Sequence, residues 1–377
     1  MKIGIITQPL GCNYGGLLQN YALQQILRKL GHDVYTINRR TCDIYTCRWD
    51  VILRWQLKRY IKKLLGREYS LTRKEYNFIK QNCTNFVEEN IQATKRFNNN
   101  KGLKSIIDKH GFNAYIVGSD QVWRPMYSEN IYNDFLDFCQ NEPNIKRLAY
   151  AASFGVSEWE FNIEQTKECS RLAKLFDAIS IREDSGIALC KEHLEVDAIH
   201  VLDPTLLLEK EDYIKLVEKA GEPVSNGNVF CYILDNNETI KNGIQYIEQT
   251  LSLNSFQVKA KNEKWALKRG EDINDHIIPS PTKWLRAFMD AKMVFTDSFH
   301  GCVFSIIFNK PFWVIGNEVR GNARFDSLLR MFNLESRRIS IDDIKDIDFT
   351  TPIDWEKVNE TKKEWQIRSI KFINDNL

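Results

Sequence analysis

His300 is the side chain of this sequence best placed to move a proton beside an anion. It follows Met293–Thr296, an apolar segment that predicts a buried strand, and it opens His300–Asn309, which predicts a helix. Asp297 and Ser298 lie between these elements, and both residue types open helices by accepting backbone N–H bonds. Imidazole exchanges protons near neutral pH, and helix N-termini favour anions. We therefore predict that His300 meets a phosphate; the alternative is a histidine that serves packing alone.

The elements around His300 predict a β–loop–α–β unit, because Lys310-Pro311 ends the helix and Phe312–Ile315 predicts the next strand. Apolar strands that end in polar or glycine-containing turns recur in the first half of the chain, at Ala114–Gly118, Leu148–Ser153, Ala178–Ile181 and Ile199–Leu202. Ligands of open α/β sheets lie outside the carboxyl ends of the strands. The pattern predicts doubly wound α/β sheets with their functional edge at those ends.

The N-terminus predicts a βαβ unit of its own. A strand at Lys2–Thr7, a helix at Leu17–Leu30 and a strand at Val34–Ile37 flank a glycine-containing loop. The loop reads GCNYGG rather than GxGxxG, so the dinucleotide-binding fingerprint is absent. Its glycines would still let a ligand approach the backbone. The alternative is a tight turn without a ligand.

Composition excludes several classes of protein. The chain has 43% hydrophobic and 27% charged residues, which is typical of a soluble globular protein, and a net charge of +2 gives no reason to expect nucleic acid. Nine cysteines without a CxxC pair, and no signal peptide, predict free thiols in a reducing cytoplasm. No apolar segment approaches the roughly 20 residues of a membrane helix. No cluster has metal-ligand spacing, so we expect neither metal nor cofactor.

A length of 377 residues favours two domains. A new strand at Val229–Leu234 follows a plausible junction at Asp203-Pro204-Thr205. We therefore expect two Rossmann-like domains that face a cleft, at residues 1–204 and 205–350. Residues 351–377 are expected to form a final helix, which could pack back on the first domain.

One insertion has a different character. Residues 48–74 mix aromatic and aliphatic side chains with arginines and lysines, so a helix here would be apolar on one side and basic on the other. Helices of this kind lie on anionic membrane surfaces. Peripheral membrane contact through 48–74 is one interpretation. The other is an insertion packed on the protein with a solvated basic face.

Seven motifs together carry a family likeness: NYGGLLQNYALQ (Asn13–Gln24), VGSDQVW (Val117–Trp123), AYAASFG (Ala149–Gly155), SIRED (Ser180–Asp184), LDPTLLL (Leu202–Leu208), TDSFHGCVFSIIFNKPF (Thr296–Phe312) and ARFDSLLRMFNL (Ala323–Leu334). In content and order they resemble the polysaccharide pyruvyl transferase family. The likeness covers roughly Lys2 to Arg337. Residues 48–74 match none of these motifs.

The resemblance implies a glycosyltransferase-B-like fold and an enzyme that forms ketals. Such enzymes move the pyruvyl group of phosphoenolpyruvate, their donor substrate, onto two hydroxyls of a sugar. The acceptor belongs to a cell-surface polysaccharide or its lipid-linked precursor. Two other functions remain open on this architecture: a nucleotide-sugar glycosyltransferase and a non-catalytic sugar-binding relative.

The donor implied by the resemblance carries a phosphate and a carboxylate, which arginine binds through its planar guanidinium. Arg182, Arg320 and Arg324 are the candidate donor-binding cations, and Ser298 joins this substrate-binding set. The resemblance makes His300 the catalytic or donor-binding histidine. The alternatives are a salt bridge from Arg182 to Glu183 or Asp184, and a solvent-facing Arg324 at a helix start.

Five residues that follow strands of the first half are assigned to the acceptor side or to the cleft wall: Asn13, Tyr14, Gly15, Asp120 and Gln121. Asp120 is a candidate second acid or base. Its alternative role is to cap the segment that contains Trp123.

Overall fold

Two parallel β-sheets, one in each half of the chain, organise the computed structural model, which describes residues 1–39, 49–97, 99–235, 237–316 and 321–377. Apolar runs form the strands of both sheets. Because helices cover both faces of the sheets, several strands, such as the segment AYIV at 114–117, are buried along their whole length.

The described part of the first half contains the strands β1 (Lys2–Ile6), β2 (Asp33–Thr36), β3 (Tyr69–Ser70), β4 (Ala114–Val117), β5 (Lys146–Ala152), β6 (Ala178–Ile181) and β7 (Ile199–His200). Its helices are α1 (Tyr14–Lys29), α2 (Trp49–Leu64), α3 (Arg73–Ile79), α4 (Gln81–Asn90), α5 (Asn100–His110), α6 (Ile163–Ala173) and α7 (Ser185–Leu189). Every strand except β3 joins one parallel sheet in the order β2-β1-β4-β5-β6-β7.

The described part of the second half contains the strands β8 (Val229–Tyr232), β9 (Ser255–Phe256), β10 (Ala266–Leu267), β11 (Met293–Thr296), β12 (Phe312–Ile315) and β13 (Arg338–Ile339). Its helices are α8 (Lys210–Ala220), α9 (Glu238–Leu251), α10 (Pro281–Asp290), α11 (Phe299–Ile307), α12 (Ala323–Met331) and α13 (Trp355–Asn376). The parallel sheet has the order β13-β12-β11-β8-β9. The predicted α/β class with two Rossmann-like domains is confirmed.

The predicted unit around His300 is present, with β11, α11 and β12 in sequence. Its capping differs from the expectation. Ser298 occupies the N-cap position of α11, but its side chain makes no capping hydrogen bond. The carboxylate of Asp297 instead accepts the N–H groups of Leu234 and Asp235, at 2.7 and 2.9 Å. Asp297 therefore joins the end of β11 to the end of β8.

One predicted strand is shorter in the structure. The alternating apolar and polar residues of Phe256–Lys259 predict a strand, whereas the strand at this place, β9, ends at Phe256. β9 is an edge strand that pairs only with β8 within the described sheet. The residues after Phe256 turn away and line a cavity instead.

The C-terminal helix α13 packs against the first domain. Ser369 Oγ accepts the N–H of Leu202 at 3.0 Å. Phe372 lies against Tyr150, with ring centroids 6.4 Å apart, and Trp365 meets His200 edge-on at 5.1 Å. Through these contacts α13 covers the ends of β5 and β7 after the chain has completed the second domain.

The insertion forms the exposed helix α2, none of whose residues is buried. α2 nevertheless rests on the protein through Arg59, whose Nη2 binds Glu75 at 2.8 Å, so the choice between membrane contact and a packed insertion stays open. Among the helices that the structure describes, all are too short or too polar to cross a bilayer.

Candidate functional site

The carboxyl ends of strands from both domains meet around the first turn of α11, which carries His300. This convergence follows from topology, because all strands of a parallel sheet end at one edge. His300 is 6% exposed, and its ring lies between the first turn of α1 and the segment that follows β7.

Gly15 in the first turn of α1 forms one wall of the site. A Cβ built at position 15 would overlap the imidazole ring of His300 at Nδ1. Asn13, the N-cap of α1, accepts the N–H of Gly16 at 3.2 Å and so sets the backbone of this turn. The glycine of the GCNYGG loop is thus required by the close approach of a side chain from the other domain.

Asp203 lies on the opposite side of His300, with its Oδ2 3.7 Å from His300 Nε2. This separation exceeds a direct hydrogen bond. The carboxylate accepts the N–H and hydroxyl of Thr205 at 3.0 and 2.7 Å, and the hydroxyl of Ser119 at 3.0 Å. Burial favours a higher pKa for Asp203, but His300, Arg182 and Thr205 hold that pKa well below its usual range. Asp203 is therefore a fixed anion beside the imidazole.

Arg182 follows β6 and is 4% exposed. Its Nη1 donates to Asp203 at 3.0 Å and its Nη2 donates to Ser153 Oγ at 3.1 Å. Asp120 lies 3.6 Å from Nη2. Burial opposes the charged form, yet the facing carboxylates raise the pKa of Arg182 above its ordinary value. Arg182 does form salt bridges, but the near one is to Asp203, whereas the sequence neighbour Glu183 is 3.9 Å away.

Arg324, in the first turn of α12, is buried next to Arg182. The two guanidinium carbons lie 5.8 and 4.4 Å from the ring centre of Phe299. Burial lowers the pKa of Arg324 to about 10, and the positive charge of Arg182 also lowers it. The carboxylates of Asp120 and Glu183 oppose this by raising the pKa. The alternative of a solvent-facing Arg324 is therefore wrong. Two like charges that share one aromatic ring are stabilised by an anion between or beside them.

Arg320, the third candidate cation, lies outside the described residues. Among the described residues no group of His, Cys, Asp and Glu side chains is arranged to hold a metal ion. The described site thus offers two guanidiniums, one imidazole and fixed carboxylates. This set can bind an anion and exchange a proton with a neighbouring group.

Asp120 reaches the same cluster from the end of β4. Its carboxylate accepts from Asn13 Nδ2 at 3.4 Å, and its backbone has the left-handed φ of 71°. Gln121 is turned away toward Arg124, whose Nη1 donates to its side-chain oxygen at 3.2 Å. Of this predicted pair, only Asp120 joins the cluster around Arg182.

Tyr14 faces a separate cavity of about 350 Å³. Its hydroxyl donates to the carbonyl of Pro279 at 2.9 Å, and its ring lies 5.8 Å from that of Trp284. The cavity is lined by aromatic and polar side chains that include Tyr232, Gln257, Trp265 and His276. Tyr14 precedes Gly15, so the first turn of α1 contributes one residue to the cavity and the next to the His300 cluster.

The two domains also touch beside the site. The N–H of Asp184 donates to Ser327 Oγ at 2.9 Å, and Arg330 pairs with the Asp184 carboxylate. Glu183, fully buried, accepts the N–H groups of Phe154 and Gly155 at 2.7 and 3.0 Å. These contacts hold the ends of β5 and β6 against α12.

Sequence reasoning did not select Asp203, Phe299, Glu183 or Ser119 as site residues. The available signal for Asp203 was its place in the LDPTLLL motif, directly after a predicted strand. Phe299 adjoins His300 in sequence, but nothing local indicates that two arginines from distant segments would lie over its ring.

Comparison with known proteins agrees with this architecture. A family model for polysaccharide pyruvyl transferase matches residues 13–319. The structure is similar to UDP-GlcNAc 2-epimerase from Methanocaldococcus jannaschii, with a TM-score of 0.52 and 12% identity over 99% of this chain and 100% of that one. The UDP-GlcNAc 2-epimerase from Neisseria meningitidis, solved with UDP-GlcNAc, gives a TM-score of 0.50 and 10% identity over 100% and 99% of the two chains. At such identities the likeness shows the glycosyltransferase-B-like fold alone. No curated protein sequence matched.

Proposed function

Because this chain belongs to the polysaccharide pyruvyl transferase family, we propose that it transfers the pyruvyl group of phosphoenolpyruvate to a sugar. The acceptor would belong to a cell-surface polysaccharide or its lipid-linked precursor, and the product would be a pyruvate ketal. The proposal places the reaction in the cytoplasm, where the donor and reduced thiols such as buried Cys302 would coexist.

The observation that carries the proposal is the arrangement of His300, Arg182 and Arg324 around Phe299. Phosphoenolpyruvate brings a phosphate and a carboxylate, and a dianion placed near two buried guanidiniums gains far more than it would in water. Asp203 and Asp120 also neutralise part of the charge of Arg182. We assign both Arg182 and Arg324 to donor binding.

The reaction removes the protons of two acceptor hydroxyls, and each proton must be transferred to another atom. One proton adds to C3 of the donor, which becomes a methyl group, while C2 gains electrophilic character and bonds to the first sugar oxygen. The second hydroxyl then displaces the phosphate from C2, and its proton leaves with that group. His300 would carry a proton in one of these steps, and the Asp203 carboxylate, 3.7 Å away, would stabilise the imidazolium that results.

The acceptor is assigned to the side of Asn13, Tyr14 and Gly15. The adjoining cavity presents Tyr14, Tyr232 and the half-exposed Trp265, and aromatic faces with nearby amides suit a sugar ring. Its volume of about 350 Å³ is that of a small-ligand site.

The test is phosphate release from phosphoenolpyruvate in the presence of a galactose-containing acceptor, with the ketal detected by mass spectrometry. We expect turnover by the wild-type protein and at least a roughly 100-fold loss in His300→Ala, the usual range for removing a general acid or base. His32→Ala is the matched control. His32 lies at the amino end of β2, whereas the site lies at the carboxyl ends of the strands. Turnover of a nucleotide sugar alone would establish the glycosyltransferase alternative. Binding without turnover of either donor would establish a sugar-binding protein.

A further inference from the structure

The helix α2 presents an unusual apolar surface to solvent. Trp49, Leu57 and Tyr60 are 72%, 61% and 60% exposed, and Leu53 and Leu64 are more than half exposed. These five positions follow helical spacing and form one stripe along α2, since successive residues turn by about 100°. Isolated exposed apolar residues need no explanation, but a continuous stripe of this length marks an interaction surface.

The rotation of α2 about its axis is set by contacts on its other side. Arg59 Nη2 binds Glu75 at 2.8 Å, and Arg59 Nε donates to the carbonyl of Ser70 at 2.8 Å. The guanidinium also lies 4.9 Å from the ring centre of Tyr69. These contacts hold a half-buried basic side chain against the protein, so the apolar stripe must face outward.

The charge of α2 decides between two possible partners of this stripe, a second copy of α2 and a lipid surface. The helix carries five basic residues and one acidic residue, Asp50. By helical spacing, Arg54 flanks the stripe on one side and Lys63 flanks it on the other. A second copy of α2 would bring two such clusters together and would repel. An anionic lipid surface would attract the basic flanks while the aromatic and aliphatic stripe enters the headgroup region.

We propose that α2 is an interfacial helix that docks this protein on anionic lipid bilayers. Trp49 and Tyr60 suit the headgroup region because their rings are apolar with a polar tip. The docking surface depends on α2 itself and does not depend on the reaction performed in the cleft.

The contacts that follow α2 connect the proposed docking surface to the cavity next to Tyr14. Shortly after α2, β3 pairs with β10, and Trp265, next to β10, packs on Tyr76 at 5.2 Å. Lys264, beside Trp265, forms an ion pair with Glu68. Both Lys264 and Trp265 line the cavity next to Tyr14. A docked protein would therefore hold that cavity close to the bilayer; that this serves a lipid-linked acceptor rests on the proposed function.

Vesicle flotation of the full chain tests the proposal. We expect the wild-type protein to float with phosphatidylglycerol-containing vesicles, to float far less with phosphatidylcholine alone, and to dissociate as salt rises. The combined Leu53→Glu, Leu57→Glu and Leu64→Glu variant should lose flotation. Its control carries changes at three apolar residues elsewhere that are even more exposed: Ile163→Glu, Val224→Glu and Ile367→Glu.

A second variant tests the charge. Arg54→Gln with Lys63→Gln should weaken anionic vesicle binding by about 30-fold, since each basic residue near such a surface contributes roughly a factor of five. Lys104→Gln with Lys191→Gln is the control of equal charge.

Circular dichroism checks the folding of every variant. Phosphate release with a water-soluble acceptor, measured without vesicles, should be the same in all variants. Activity that fails in every variant would count against the proposed reaction and leave the flotation result standing.

Three results would overturn the docking proposal. One is equal partitioning to neutral and anionic vesicles. Another is flotation that survives the three leucine changes. The third is a dimer in sedimentation velocity that those changes dissociate, without any vesicle binding, because the stripe would then be an interface between copies of the chain.

Discussion

Gly15 of the first domain lies in direct contact with the imidazole of His300 from the second domain. A Cβ at position 15 would overlap Nδ1 and adjoining ring atoms of His300. The glycine therefore sets the position of the ring, and the ring in turn is held between Gly15 and Asp203. The position of the candidate catalytic imidazole therefore depends on how the two domains are placed relative to each other.

The Gly15→Ala variant should displace His300 and reduce activity by roughly 100-fold, because a shift of about 1 Å at a reacting group has effects of that size. Gly11→Ala is the control in the same loop, since the nearest heavy atom to its Cβ would be 3.7 Å away. The measurement is kcat for phosphate release. Equal losses in both variants would indicate a general effect on the loop.

The Asp203→Asn variant should lower the free energy of unfolding by about 3 kcal/mol at pH 7, because it removes a buried anion that faces Arg182 and His300. The pKa of Asp203 is depressed in the folded protein. Its stabilisation is therefore complete above its ordinary unfolded pKa and is lost as the pH falls through the folded pKa. The wild-type advantage in urea unfolding should begin to shrink below about pH 4. A constant difference down to pH 3 would contradict this assignment.

The Arg324→Gln variant should raise the KM for the donor by roughly 10- to 100-fold, the usual range for a lost charged hydrogen bond. Phosphate should raise the Tm of the wild-type protein and raise it much less in this variant. Arg330→Gln, on the same helix α12 but exposed and paired with Asp184, is the control. An unchanged KM together with an unchanged phosphate effect would remove Arg324 from the donor site.

The Phe372→Ala variant should destabilise the protein by about 3 kcal/mol, because Phe372 is buried against Tyr150 in the first domain. The exposed Ile367 on the same helix is the matched site, and Ile367→Ala should change the free energy of unfolding by less than about 0.5 kcal/mol. Urea unfolding compares the two variants. Similar values would mean that α13 contributes little to joining the domains.

Local sequence patterns determined the strands, most of the helices and the position of His300 after β11. These features depend on neighbouring residues: apolar runs predict buried strands, and Ser280-Pro281 predicts the start of α10, where Ser280 accepts the N–H of Lys283. The strand at Phe256 was overestimated because an edge strand is held by one neighbour only, and β9 leaves β8 after the pair Phe230–Phe256 although β8 continues to Tyr232. The family motifs added the expected chemistry, since they combine residues from all parts of the chain.

Only the tertiary structure decided which charges face one another. Arg182 has acidic neighbours in sequence, yet its near partner is Asp203, because the adjacent parallel strands β6 and β7 deliver both side chains to one edge. The approach of Arg324 to Phe299 depends on how α12 meets α11. The outward rotation of α2 likewise depends on Arg59 and Glu75. A linear pattern states which side chains are available, whereas their pairing depends on distances that close only when distant segments fold together.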